Sequence, residues 1–137
     1  MSILKISDAA AIAMHTVVIL NSTPDKQYSN KELTTILNVS ENHLSKIMQR
    51  LNKAQIVTSI RGPKGGFIIN PEASDRSLLE VYEAIEGQLT ISNCLLKKSF
   101  CSSGCLLGDF LISINQQFKD YFIETKISDL TNKLKNN

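Results

Sequence analysis

Residues 56–69, IVTSIRGPKGGFII, constrain the chain more than any other stretch: two apolar, β-branched runs flank the turn Arg61-Gly62-Pro63-Lys64-Gly65-Gly66. Short runs rich in Ile and Val, punctuated by glycine and proline, predict a β-hairpin. Gly65 and Gly66 are expected to take φ > 0 and close it, and Pro63 to stiffen it. A stiff tip would aim Arg61 and Lys64 outward. Such cations suit a phosphate backbone, or a narrow minor groove whose negative potential favours a guanidinium. A surface hairpin whose charges serve only solubility is the plain alternative. A phosphate-cradling P-loop is excluded, because it needs G-x-x-x-x-G-K-S/T opening a helix, and this turn has neither the spacing nor the helix.

What precedes the hairpin narrows the choice. A first helix is predicted from about Asp8 to Leu20, capped by Ser7 or Asp8 and stopped at Asn21-Ser22-Thr23-Pro24. Ser29-Asn30-Lys31-Glu32 has capping-box spacing and opens a short helix whose Leu33, Ile36 and Leu37 should face inward. Asn38-Val39-Ser40 makes a turn, and Ser40 caps a third helix to about Ala54, with Leu44, Ile47, Met48, Leu51 and Ala54 at helical spacing. Helix, three-residue turn, helix and hairpin is the order of a winged helix-turn-helix. The expected DNA-facing residues are Ser40, Glu41, Asn42, His43, Ser45, Lys46 and Arg50 from the third helix, with Arg61, Gly62 and Lys64 from the wing. A packing motif with a merely solvated polar face is the alternative.

At 137 residues with 42% apolar content, the chain is one domain's worth with a real core. The net charge of +2 is too small to signal nucleic-acid binding, but its distribution is uneven. From Asp25 to Lys64 seven basic residues face three acidic ones, a net +4, which leaves −2 for the remainder. Asp8 and His15 interrupt the apolar start, which therefore reads as an amphipathic helix of a cytoplasmic protein rather than a signal peptide. No apolar run reaches the roughly 18 to 20 residues of a membrane span, so no membrane partner is expected.

After the hairpin, Ser77-Leu78-Leu79-Glu80 opens a helix ending at Gly87, and a long helix is predicted from about Leu106 to Glu124. Its Leu107, Leu111, Ile114, Phe118 and Tyr121 step by four, three, four and three, a seam for another helix. Packing on its own domain fits the pattern as well, but readers of paired half-sites dimerise. Lys133 to Asn137 should fray. The expected fold is mainly α with a small β-hairpin: a winged helix-turn-helix domain over 1–87, a cysteine-containing sensor loop over 88–105, and a dimerisation helix and tail over 106–130.

All three cysteines, Cys94, Cys101 and Cys105, fall in that loop with C-x6-C-x3-C spacing. An odd number clustered in an intracellular chain argues against structural disulfides. Thiolates suit iron-sulfur clusters, zinc or copper(I), and Lys97 and Lys98 would favour the thiolate form. A metal centre, a thiol redox switch and inert small hydrophobes all remain open. Asp109, Asp8 and His15 are candidates for a fourth ligand; helix capping and ordinary core packing are their simpler roles. With no C-x-x-C redox motif and no convincing Cys/His or carboxylate pair, an enzyme is not expected.

Several blocks together resemble the Rrf-two family of bacterial winged-helix regulators: Ser7-Asp8-Ala9, Val39-Ser40-x-x-His43-Leu44-x-Lys46-Ile47, Leu51-x-Lys53-Ala54-x-Ile56-Val57-x-Ser59, and above all Arg61-Gly62-Pro63-x-Gly65-Gly66-Phe67. Leu78-x-Glu80-Val81-x-x-Ala84-Ile85-Glu86-Gly87 and Thr125-x-Ile127-Ser128-Asp129-Leu130 are similar too. The resemblance covers almost the whole chain. It implies a homodimeric transcription factor, usually a repressor, that binds double-stranded DNA at a palindromic operator through its wing and recognition helix. It also implies a two-iron or four-iron cluster on Cys94, Cys101 and Cys105, one that aerobic preparations can lose. Asn93-Cys94 and the leucines after Cys105 look most like the nitric-oxide-sensing branch, where an early aspartate, here Asp8, is the fourth ligand from the partner subunit. Gly108 stands where the cluster-regulating branch has its ligand histidine, and the spacing before Cys105 is shorter, which argues against a histidine-completed site. A cluster-free regulator of the same fold, sensing oxidants through its thiols or binding a metabolic enzyme, is the alternative.

Overall fold

Serine oxygens start four of the helices. In the computed structural model, which describes residues 6–91 and 106–136, Ser7 Oγ accepts the Ala10 N–H at 3.1 Å and opens α1, Asp8–Ser22. Ser29 and Glu32 form a reciprocal capping box at the start of α2, Asn30–Leu37. Ser40 Oγ accepts the His43 N–H at 3.1 Å and starts α3, Glu41–Lys53. Ser77 and Glu80 repeat the capping box at α4, Leu78–Glu86. Each such cap is worth about 0.5–2 kcal/mol. Between α2 and α3 the chain reverses through Asn38, whose φ of 54° lies in the left-handed region that its short polar side chain tolerates.

The turn of α2 into α3 is followed by strands β1, Val57–Ile60, and β2, Gly66–Ile69, paired antiparallel with Val57 opposite Ile69 and Ile60 opposite Gly66. A 3₁₀ turn over Pro71–Asp75 leads into α4. After the undescribed stretch come α5, Gly108–Glu124, and α6, Ile127–Lys135. This is the mostly helical winged-helix architecture with one two-stranded hairpin.

The core forms round α1, which is apolar on nearly every side and packs against α3, α4 and α6. Ala13, Val17 and Leu20 of α1 are buried with Leu33 of α2, Leu44, Ile47, Met48 and Leu51 of α3, and Val81 of α4. Strand residues Val57 and Ile69 close it on the hairpin side.

Two expectations fail here: α1, expected to be amphipathic, is apolar on nearly every side, and Ile36, predicted to face inward, is 54% exposed. On a helical wheel Leu37 and Ile36 fall on opposite sides of Leu33, and α2 meets the core through the Leu33–Leu37 edge. The polar run expected to fray from Lys133 is helical as far as Lys135, the end of α6. Its anchors lie upstream of that polar run: Ile127 and Thr131, one turn apart, are buried, and Asn21 Nδ2 of α1 donates to Thr131 Oγ1 at 3.0 Å.

Among the described residues no helix is long and apolar enough to cross a membrane.

These burial differences predict a measurable asymmetry. Leu51→Ala should cost about 2–5 kcal/mol of unfolding free energy, whereas Ile36→Ala should stay within about 0.5 kcal/mol of the parent. Urea denaturation followed by circular dichroism reads both.

Candidate nucleic-acid interface

Burying Leu44, Ile47, Met48 and Leu51 turns the opposite face of α3 outward. Glu41, Asn42 and Lys46 are exposed there, with Asn42 and Lys46 one turn apart on the same stripe. His43 and Ser45 are half-buried at its edge. Ser45 Oγ lies 3.4 Å from Asn30 Nδ2, so it helps join α2 to α3. Ser40 spends an acceptor on the helix cap but remains exposed. The side-chain ion pairs among the described residues are Lys26–Glu32 and Arg76–Glu80, and neither draws on Lys46, Arg61 or Lys64.

The wing closes differently from expectation. Gly65 and Gly66 do not adopt positive φ; Gly62 does, at 114°. The tip is held by the Gly65 N–H donating to Gly62 O at 2.9 Å. Gly65 and Gly66 are needed for space instead. A Cβ on Gly65 would sit 2.5 Å from Ile60 O, and one on Gly66 would sit 2.3 Å from Tyr28 O. Arg61, Gly62, Pro63 and Lys64 are all exposed at the tip.

That close approach to Tyr28 belongs to a third, one-residue strand position. Tyr28 N–H donates to Phe67 O at 2.9 Å, and Phe67 N–H donates to Tyr28 O at 2.7 Å. Gln27 Nε2 donates to Lys64 O at the wing tip. The other root of the wing is tied to α3, where Asn52 Oδ1 accepts the Ser59 N–H at 3.1 Å. Gln27, Tyr28 and Asn52 thus aim the wing, and sequence reading missed all three. A single bridging residue leaves no two-residue alternation to find.

Arg50 is exposed, yet its Nη1 donates to Ile85 O of α4 at 2.7 Å. Of the expected metal ligands, Cys94, Cys101 and Cys105 lie outside the described residues. Asp8 is exposed at the first turn of α1, and its neighbour Ser7 donates through Oγ to Glu86 at the end of α4. Asp8 therefore stands beside the root from which the cysteine-bearing stretch departs. Three soft thiolates with one exposed carboxylate are a donor set compatible with an iron-sulfur centre.

A family model described as "Rrf2: Iron-dependent Transcriptional regulator" matches residues 6–133. An Aquifex aeolicus protein described as an HTH-type transcriptional regulator is 26% identical over 130 residues, covering 92% of this chain and 90% of its own. Among solved structures, CymR, the global cysteine regulator of B. subtilis, superposes with a TM-score of 0.80 at 22% identity, covering 96% of this chain and 98% of that one. IscR of T. potens gives a TM-score of 0.67 at 19% identity, covering 96% and 88%. At these identities the two structures establish a shared fold.

If Gly66 serves close packing, Gly66→Ala should lower stability by more than about 1 kcal/mol, although its φ is one that alanine can adopt. Chemical denaturation of that variant beside the parent tests it.

Proposed function

This chain belongs to the Rrf2 family of transcriptional regulators, and from that premise we propose that it is a homodimeric repressor whose operator affinity is set by Cys94, Cys101 and Cys105. The DNA-binding role carries most directly on one observation: a wing tied by backbone bonds to the segment before α2, and by Asn52 to α3, exposes Arg61 and Lys64 with no carboxylate partner among the described residues, while α3 exposes its Asn42–Lys46 stripe. Asn42, Ser45 and Lys46, with Glu41 and His43, would meet base edges or phosphates in the major groove, while Ser40, Gly62 and the wing cations would track the backbone.

Support for the homodimer comes from α5. Of its residues only Phe122 is buried, stacked on Phe118 at 4.3 Å and edge-on to Tyr82 of α4 at 5.9 Å. Phe110, Ile112, Tyr121 and Ile123 are exposed, as are Leu106 and Leu107 before it. So much apolar surface on one helix calls for a partner, and a two-fold pairing of α5 would set the spacing of two recognition helices on a palindromic site.

In the proposed division, 1–87 grips DNA, 88–105 senses, and α5 dimerises. Cys94, Cys101 and Cys105, with Asp8 as the fourth donor, would hold a two-iron or four-iron cluster. Bound there, such a centre supplies a site reactive toward nitric oxide or oxidants. The chain's own part is to couple the ligand-bearing stretch to α4 on one side and α5 on the other. A cluster-free second reading, in which the thiols respond to oxidants directly or the dimer binds a metabolic enzyme, draws support from the shared fold with a global cysteine regulator.

Two measurements test these readings. Arg61→Ala and Lys64→Ala should each weaken binding of a promoter fragment across sequences and reduce the salt slope of log K by about one; unchanged slopes would remove the wing from the interface. Anaerobically purified protein should carry iron, sulfide and visible absorption that all disappear when any one of the three cysteines is replaced by serine. Colourless, iron-free protein that still represses and still responds to oxidant would establish the cluster-free reading instead.

A further inference from the structure

Sequence periodicity puts Arg50 on the polar face of α3, one turn after Lys46, and so among the DNA contacts. Its guanidinium points elsewhere. Nη1 donates at 2.7 Å to Ile85 O in the last turn of α4, where carbonyls lack intrahelical donors and the helix dipole favours a cation. Around that carbonyl the chain is tied down further: Gly87 N–H donates to Glu83 O at 3.0 Å, and Leu89 N–H donates to Glu83 Oε2 at 2.8 Å. The strand of chain leaving α4 toward Cys94 is thus fastened to the turn that Arg50 holds.

A second arginine fastens the far end. Arg76 Nη1 donates at 2.7 Å to Ala54 O, the C-cap of α3. The backbone of the same region meets the α5–α6 junction: Ile127 N–H donates to Arg76 O at 3.0 Å, and Leu78 N–H donates to Thr125 O at 2.8 Å. The stretch from residue 88 to 126, which carries the cysteines and α5, is therefore anchored at both ends to groups that hydrogen-bond the C-terminal half of α3. One anchor lies at the α3 C-cap and the other a full turn earlier. Both anchors lie at the ends of α4, so a displacement imposed on the Ile85 end of α4 must turn α3 about the Arg76 contact or break the Arg50 bond.

We propose that Arg50 is a positioning residue that transmits the chemical state of Cys94, Cys101 and Cys105 to the recognition helix, and that it is not a DNA contact. This rests on the reading that those cysteines set operator affinity.

The test is a double-mutant cycle on the full chain, purified anaerobically, with promoter-fragment affinity measured over a range of salt. With Arg50 intact, replacing all three cysteines by serine should change affinity by about 5- to 150-fold, the ordinary range of coupling between sites. In an Arg50→Gln background the same replacement should change affinity less than twofold, while the salt slope stays that of the parent because no phosphate contact is lost. Arg50→Lys, which keeps a donor toward Ile85 O, should restore part of the response. Glu83→Ala, which cuts the same connection on the side away from the DNA face, should also reduce it. Persistence of the full response in both Arg50→Gln and Glu83→Ala would overturn the proposal. So would a salt slope smaller by about one in Arg50→Gln, which would make Arg50 a phosphate contact. If the serine replacements change nothing with Arg50 present, the sensing reading itself fails, and the transmission role with it.

Discussion

Everything the candidate interface offers depends on the burial of one stripe of α3. Leu44, Ile47, Met48 and Leu51 are almost wholly inaccessible, and each contributes on the order of 1.5–3 kcal/mol relative to exposure. Because an α-helix repeats every 3.6 residues, committing that stripe to α1 fixes the orientation of the opposite one. Asn42 and Lys46 face outward for no reason of their own; their direction is the complement of the core. The same packing explains α1, whose lack of a polar face would be a liability on a surface helix. It is covered by α3, α4 and α6 on different sides.

The base of the wing is held by the burial of Val57 and Ile69, but its aim depends on hydrogen bonds to the backbone. Two-way hydrogen bonding between Tyr28 and Phe67 lays a single extra residue against β2, and Gly66 permits the approach by having no Cβ to meet Tyr28 O. The tip that displays Arg61 and Lys64 is braced on one side by Gln27 and at its root by Asn52. Charged side chains on a supported loop need little reorganisation to meet a phosphate backbone.

α5 stands apart from this economy of burial. Its heptad-like residues Leu111, Ile114 and Phe118 are half-buried, whereas Tyr121 and the preceding Leu107 remain exposed. Among the described residues, those of its own domain cover only the edge that carries Phe122. The exposed remainder is what the proposed two-fold partner would cover, and both ends of the stretch that includes α5 are hydrogen-bonded to the groups that hold α3. A dimer built on this helix would therefore be mechanically continuous with the DNA-reading surface.

Local chemistry determined much of this protein from the sequence alone. The serine caps and capping boxes, the apolar periodicity of α3, the hairpin between Val57 and Ile69, and the exposed basic tip are all short-range features, written within a few residues of where they act. Long-range contacts decided the rest. Gly65 and Gly66 look like turn glycines, but only the fold shows that a neighbouring carbonyl is what excludes a Cβ. Ile36 fits an inward pattern, yet a two-turn helix meets the core along one edge and leaves it out. The polar C-terminus reads as a fraying tail, since the Asn21–Thr131 bond that holds α6 spans 110 positions. Arg50 is indistinguishable from a DNA contact by periodicity, because nothing near it in sequence reveals the α4 carbonyl that its guanidinium meets. Periodicity records which face of an element is polar; only the packing of distant elements decides what that face touches.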